Sequence, residues 1–269
     1  MALVLVTGAT GAPGITCTAL GLALSWPQDV LLADCDRDPD QAVAAGYLRG
    51  ATLAGRGLVS IIRAHREGRA IEGELVHHSL TLTAKESPGR RFLPGFSHPM
   101  AVELFEPVWP ALADALAAMD PTGVDAVVDA GRISSRGLPG ALLSRADLIV
   151  VVVRSQLRSL AALRLYLPIL LEQIEALPSP PGLGIALVDP NHPYSAAEIS
   201  PELGVPCWAE FPLDARAAGV LSDGDPEPRG RWHSALLAQY RATALRLRQR
   251  LDHERELDRQ LHEGMGLHA

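Results

Sequence analysis

The sequence predicts an α/β protein built on a doubly wound, mostly parallel sheet with helices on both faces, followed by a C-terminal helix. Three observations carry this. Short, wholly apolar runs recur along the chain and alternate with helix-forming stretches, the pattern of strands buried on both faces. The first of these runs ends directly in a glycine-rich turn that opens a helix. The end of the chain changes character: Arg231–His262 is polar, rich in Arg/Glu and Arg/Asp neighbours, and reads as one long helix.

Taken in order, Leu3–Thr7 is an apolar β-branched run, and Thr16–Ser25 is a helix of small and apolar residues. Val30–Ala33 is a second short strand that ends in the acidic cluster Asp34-Cys35-Asp36. Helices are expected over Asp40–Leu48 and Gly57–Arg66, and short strands within Glu72–Leu82. Lys85–Pro99, rich in Pro and Gly, reads as a loop. Met100–Met119 reads as one helix, strained by Pro107 and Pro110. Ala126–Asp129 is a buried strand followed by the turn Ala130-Gly131-Arg132. Leu148–Val153 is another strand, Leu157–Leu177 a long helix, and Gly184–Val188 and Val205–Phe211 are the remaining strands. With no repeat and no linker, the expectation is one α/β domain over residues 1–228 and a helical tail over 229–269, packed on the domain or extending from it.

Composition narrows the function classes. A hydrophobic fraction of 48% in 269 residues supports a sizeable core. A net charge of −7 argues against broad nucleic-acid binding. Three cysteines without paired spacing fit a reducing compartment and no disulfide framework. The N-terminus lacks the positive segment of a secretory signal, and no apolar stretch reaches the ~18 residues of a spanning helix. The expected location is the cytoplasm, with membrane contact at most peripheral and through a partner. Of 24 Lys plus Arg residues, Lys85 is the one lysine and 23 are arginines. Any chemistry that needs a lysine elsewhere is thereby excluded, including a Schiff base and a Tyr-x-x-x-Lys dehydrogenase pair.

The segment Gly8-Ala9-Thr10-Gly11-Ala12-Pro13-Gly14 lies between the first strand and the first helix. Glycines there let the backbone turn sharply, and the helix N-terminus offers free N–H groups to an anion. Two nucleotide readings compete. In the first, Gly8, Gly11 and Gly14 form G-x-x-G-x-x-G, and Asp34, 20 residues after Gly14, sits where a ribose-binding acid would lie in an NAD(P)-binding short-chain-dehydrogenase-like protein. Against it, Tyr47, Tyr166, Tyr194 and Tyr240 are followed four positions later by Ala51, Leu170, Glu198 and Ala244. In the second, the phosphate-loop template G-x-x-x-x-G-K-[ST] falls on Ala9–Thr16, with Ile15 at the lysine position.

The order of the later motifs favours the second reading. Thr16-Cys17-Thr18-Ala19-Leu20-Gly21, Val30–Asp36 with its Asp-x-Asp ending, and Val124–Gly131 with its Asp-x-Gly ending resemble successive segments of the ParA/MinD family of deviant-Walker P-loop ATPases. Leu203-Gly204-Val205-Pro206, then Pro212-Leu213-Asp214 and Ala217–Gly224, resemble that family's closing strand and turn. The resemblance spans residues 1–224, and within the family it is nearest to an actinobacterial CpaE/TadZ-like subgroup. It implies ATP and Mg as cofactors, held by Gly11, Ala12, Pro13, Gly14, Ile15, Thr16 and Cys17, with Pro212 and Asp214 near the adenine. It further implies that Thr16 binds the metal, that Asp129 does so through water, and that Asp36 helps orient the attacking water. Asp189 and Asn191 fall near the family's base-reading position, in a local sequence that does not match it well.

The chain departs from the family at its two loop lysines. The phosphate-gripping lysine falls on Ile15 and the lysine that reaches across a dimer falls on Thr10. Loss of one charge-assisted contact lowers nucleotide affinity by about one to two decades, and loss of a transition-state donor slows chemistry by about 10²–10³. The expectation is a pseudo-ATPase or very weak ATPase that works as a homodimeric localisation or scaffold protein, with a protein partner in a secretion, pilus or cell-pole apparatus. The alternatives are an active ATPase in which arginine, Arg132 or Arg37, replaces the lysine, and the NAD(P)-binding reading. Cys17 and Cys35 read as small core residues, the histidines show no metal spacing, and Arg241–Arg259 is near neutral, unlike a membrane-surface helix.

Overall fold

The computed structural model describes residues 2–12, 14–53, 55–83, 87–119, 123–227 and 234–266, with side chains as far as Glu256. Pro13, Lys85 and the expected division at 228/229 lie outside the described residues.

The strands are β1 (Leu3–Gly8), β2 (Val30–Asp34), β3 (Leu80–Thr81), β4 (Arg90–Leu93), β5 (Asp125–Arg132), β6 (Leu148–Arg154), β7 (Gly182–Val188) and β8 (Cys207–Phe211). They form one sheet in the order β3-β4-β2-β5-β1-β6-β7-β8, parallel throughout except for the β3/β4 pair. The helices are α1 (Ile15–Ser25), α2 (Leu58–Arg66), α3 (Ile71–His77), α4 (Met100–Phe105), α5 (Trp109–Ala117), α6 (Gly140–Leu143), α7 (Leu157–Glu175), α8 (Ala196–Leu203), α9 (Ala215–Ser222) and α10 (Ala235–Gly266).

Alternation along the strands sorts the core into two layers. Leu3 and Leu5, Ala126 and Val128, and Ile149 and Val151 face one side, where α2–α7 pack. Val4 and Val6, Val127, and Val150 and Val152 face the other, against α1, α9 and α10. The middle stretches of these strands are therefore continuous apolar runs, as a covered parallel sheet requires, with polar residues such as Thr7, Asp34 and Asp125 at their ends.

Several elements differ from the sequence reading. Asp40–Leu48 narrows to a π-helical turn over Val43–Tyr47. Glu72–Leu82 is mainly helix: Ile71 and Leu75, four apart, bury one face of α3, and the only strand content is β3. The expected loop Lys85–Pro99 contains β4, which pairs in parallel with β2 from Val30↔Arg90 to Ala33↔Leu93. The single helix expected over Met100–Met119 is split by a 3₁₀ turn at Glu106–Val108, where Pro107 lacks the N–H that a continuous helix needs.

The C-terminal helix is part of the fold. Leu236, Tyr240, Ala244, Leu247 and Leu251 form one buried stripe on α10, packed over α1 and β8. Tyr240 enters the space left by Gly21 of α1, where any Cβ would collide with the ring. Lower down, Arg248 reaches the buried Asp125 carboxylate at 3.2 Å. That carboxylate also accepts hydrogen bonds from the Ala2 N–H (2.6 Å) and the Trp26 indole (2.8 Å). The apolar face of this helix is, through Leu251, covered by the chain's own α1 and β8.

Candidate functional site

β1 brings the chain to the middle of the sheet's C-terminal edge, between β5 and β6, the place where open α/β sheets build ligand sites. The turn that follows is tight. The Ala12 N–H donates to the Ala9 carbonyl at 3.0 Å, and Gly11 and Gly14 take left-handed φ values of 78° and 84°. α1 then starts with no side-chain cap, so its first N–H groups are open to a ligand. Ser159 at the start of α7 donates to the Gly11 carbonyl at 3.3 Å. The Thr7 hydroxyl donates to the Gly131 carbonyl at 2.7 Å, fastening β1 to the Asp-x-Gly turn of β5.

Hydrocarbon fills the inner side of the glycine turn. Ala12 and Ile15 are each 7% exposed and join the apolar cluster under α1. A Cβ on Gly8 would stand 3.0 Å from Ala12 Cβ, 3.0 Å from Ile15 Cδ1 and 2.8 Å from the Val152 carbonyl oxygen. Ile15 thus packs back against the end of β1, and Thr10, at the second lysine position, is exposed.

The Thr16 hydroxyl lies near enough to the Asp129 carboxyl to favour its charged form. Burial pushes that carboxyl up to about 7, against the opposing pull of the Thr16 hydroxyl and the Gly131 N–H at 3.0 Å, with Asp36 and Asp40 adding to the rise. Asp34 is in register with Asp129 across β2 and β5. Its carboxyl stands well above the usual aspartate range, first from burial and then from the Asp129 charge. Asp36 is also raised by burial, relieved by the Asp38 N–H (2.8 Å) and by the Arg132 charge. A hydroxyl beside a buried carboxyl is the pair that a nucleotide-bound magnesium uses. The positive charge that a triphosphate needs is missing from the turn. The site therefore fits the metal half of a magnesium nucleotide and does not fit its phosphates, and no hydrolytic step follows from it.

The remaining sequence candidates scatter. Cys17 is half-buried near Ser222, with burial raising its thiol. Asp214 is the N-cap of α9, accepting from the Ala217 N–H at 2.9 Å, while its other oxygen takes the Ser234 hydroxyl at 2.8 Å. Both oxygens are thus used inside the fold, beside a half-buried Pro212. Asp189 pairs with Arg154 at 3.0 Å, and Asn191 has a left-handed φ of 63°. Arg37 is held by the Ser134 hydroxyl and the Gly137 carbonyl, not by the glycine turn. Arg132 is exposed and acts on Asp36. The sequence reading missed Tyr240, whose ring lies against Gly21 of α1. Gly21 was its only local trace.

Strand order decides between the two nucleotide folds. In a dinucleotide-binding sheet the second strand lies beside the first, which brings its terminal acid to the ribose. Here β5 separates β1 from β2, and Asp34 faces Asp129. The NAD(P) reading is removed by that topology.

No protein-family model matches the chain, and no curated protein matches it in sequence. Solved structures do. A ParA family ATPase from Chlorobium tepidum TLS superposes with a TM-score of 0.66 at 16% identity, over 91% of this chain and 97% of that one. The septum site-determining protein MinD from Pyrococcus horikoshii OT3, solved with Mg-ADP, gives 0.66 at 15% identity, over 91% and 95%. Apo McdA from Cyanthece gives 0.66 at 14% identity, over 91% and 98%. At these identities the likeness is one of fold, and in fold the chain is a ParA/MinD-type, P-loop NTPase-like protein.

Proposed function

We propose that this protein is a ParA/MinD-like pseudo-ATPase, or at most a very weak ATPase, that acts as a cytoplasmic homodimeric localisation or scaffold protein. The observation that carries the reading is the position of Ile15. The residue at the phosphate-gripping position is apolar, buried and turned toward Gly8, while Asp34, Asp36 and Asp129 gather beside it with no lysine to balance them. The Thr16 hydroxyl beside the buried Asp129 carboxyl supports residual magnesium-nucleotide binding without efficient turnover. A role through a partner is supported by the fold likeness to MinD, which has been solved from Aquifex aeolicus as a MinC:MinD complex. We further propose that the partner belongs to a secretion, pilus or cell-pole apparatus, a reading supported by the CpaE/TadZ-like character of the sequence. Among the described residues no helix is long and apolar enough to cross a membrane.

The test is a steady-state ATPase assay beside calorimetric titration with ATP·Mg²⁺. Turnover at background and weak or absent binding are expected. Turnover at rates typical of an intact ATPase, lost on Arg132→Ala or Arg37→Ala, would establish instead that an arginine replaces the lysine.

A further inference from the structure

A second concave site opens on the far side of the β5 turn. It is a cleft of ≈ 680 Å³ whose lining includes Arg37, Arg132 and Arg136. Its size is within the range of small-molecule sites, typically about 300–1,000 Å³.

Arg37 is the fixed point of this cleft. Its guanidinium donates to the Ser134 hydroxyl at 3.2 Å and to the Gly137 carbonyl, both neutral acceptors. Ser134 in turn accepts from the Arg136 N–H at 3.1 Å and donates to the Gly137 carbonyl at 2.9 Å, so the loop that presents Arg136 is locked to the same point. None of the three arginines forms an ion pair with a described carboxylate. Arg37 is half-buried, and burial lowers its guanidinium below the usual arginine range. The Arg136 charge pushes the same way, and Glu106, Asp36 and Asp38 oppose without outweighing them. Like charges are thus held together, partly desolvated, around an open volume. Arginine forks in such a setting suit the oxygens of a phosphate group.

Carboxylates interleaved with these arginines limit the ligand's size. Asp38, Glu103 and Glu106 also line the cleft, and the whole chain carries a net charge of −7. An extended polyanion would meet these carboxylates, whereas a compact anion can sit among the guanidinium groups. We propose that this cleft binds a compact phosphate-bearing small molecule through Arg37, Arg132 and Arg136, separately from the glycine turn.

The test is calorimetric titration of the full chain with inorganic pyrophosphate at low ionic strength, with Arg136→Ala, Arg37→Ala and Thr10→Asp as variants. Arg136 and Thr10 are exposed, so their replacement leaves the core intact. Single-site binding that weakens about tenfold or more in both arginine variants and is unchanged in Thr10→Asp is expected. Absence of binding at millimolar pyrophosphate overturns the proposal. So does binding that ignores Arg136→Ala but is weakened by Thr10→Asp, because the anion would then sit in the glycine turn. That last outcome would also count against the closed-turn reading of Ile15, which otherwise stands or falls independently.

Discussion

The Tyr240 ring of the C-terminal helix fills the place of a side chain at Gly21 on the helix that follows the glycine turn. No methyl group fits there. Tyr240 is 3% exposed and also packs on Phe211, ring centroids 4.7 Å apart. Gly21→Ala is expected to overpack this joint and cost about 1–3 kcal/mol of stability. Urea denaturation of the two proteins measures it. An unchanged midpoint would show that α10 can lift from α1 at little cost.

Ile15→Lys restores a cation at the phosphate-gripping position. Affinity for ATP·Mg²⁺ is expected to rise about tenfold or more, the effect of one charge-assisted contact. Thermal stability should fall, because a buried apolar side chain is lost from the cluster of Ala12 and Ile15. Calorimetry and a melting curve report the two effects separately. If affinity stays flat, the shape of the turn and not its charge keeps nucleotide out.

The carboxyl pair Asp34–Asp129 predicts the sign of a pH dependence. Both groups hold their protons more tightly in the folded state than in the unfolded chain, Asp129 up to about 7. In the window from the ordinary aspartate value, about 4, to about 7 the folded state therefore binds more protons, and stability falls as pH rises. Asp129→Asn removes one member and keeps an acceptor for Thr16. The wild-type protein should lose stability between pH 5 and pH 7 (about one to three units above the unperturbed value) more steeply than Asp129→Asn. Parallel curves would place the proton elsewhere.

Asp214 has a structural duty that its resemblance to an adenine neighbour conceals. Asp214→Ala removes the cap of α9 and the tie to Ser234, and should cost about 1–2 kcal/mol. Its carboxyl lies below the usual range, chiefly through the Ala217 N–H, so this stabilisation is present at neutral pH and disappears as pH falls through the folded value. Chemical denaturation at pH 7 and at pH 3, roughly one unit below the unperturbed value, should show a difference between the two proteins that shrinks in acid.

How much of this was legible in the sequence depends on where each residue's environment comes from. β1, β6 and the Ala126–Val128 stretch of β5 are continuous apolar runs because both their faces are covered, and such runs announce themselves. β4 did not: Arg90 and Arg91 look like loop residues, and only the register with Val30 and Leu31 makes them a strand. α3 was read as strand because its buried face rests on just Ile71 and Leu75. At the site, the missing charge at Ile15 was visible, but the direction of its side chain was not. The approach of Thr16 to Asp129 joins two segments whose roles had been assigned separately. Arg37 and Arg132 were legible as nearby cations, whereas their gathering with Arg136 depends on a loop held by Ser134 that carries no motif.

The joint at Gly21 also has a mechanical side. α10 runs from Ala235 to Gly266 as one rod, gripped along Leu236–Leu251 by the helix that leaves the glycine turn and by β8. From Leu251 to Gly266 it extends about 22 Å at the α-helical rise. A tilt of about 5° of the gripped part would carry the end at Gly266 roughly 2 Å relative to Leu251, given that length. A displacement too small to notice at the turn would thus be magnified into one that a neighbouring molecule can feel.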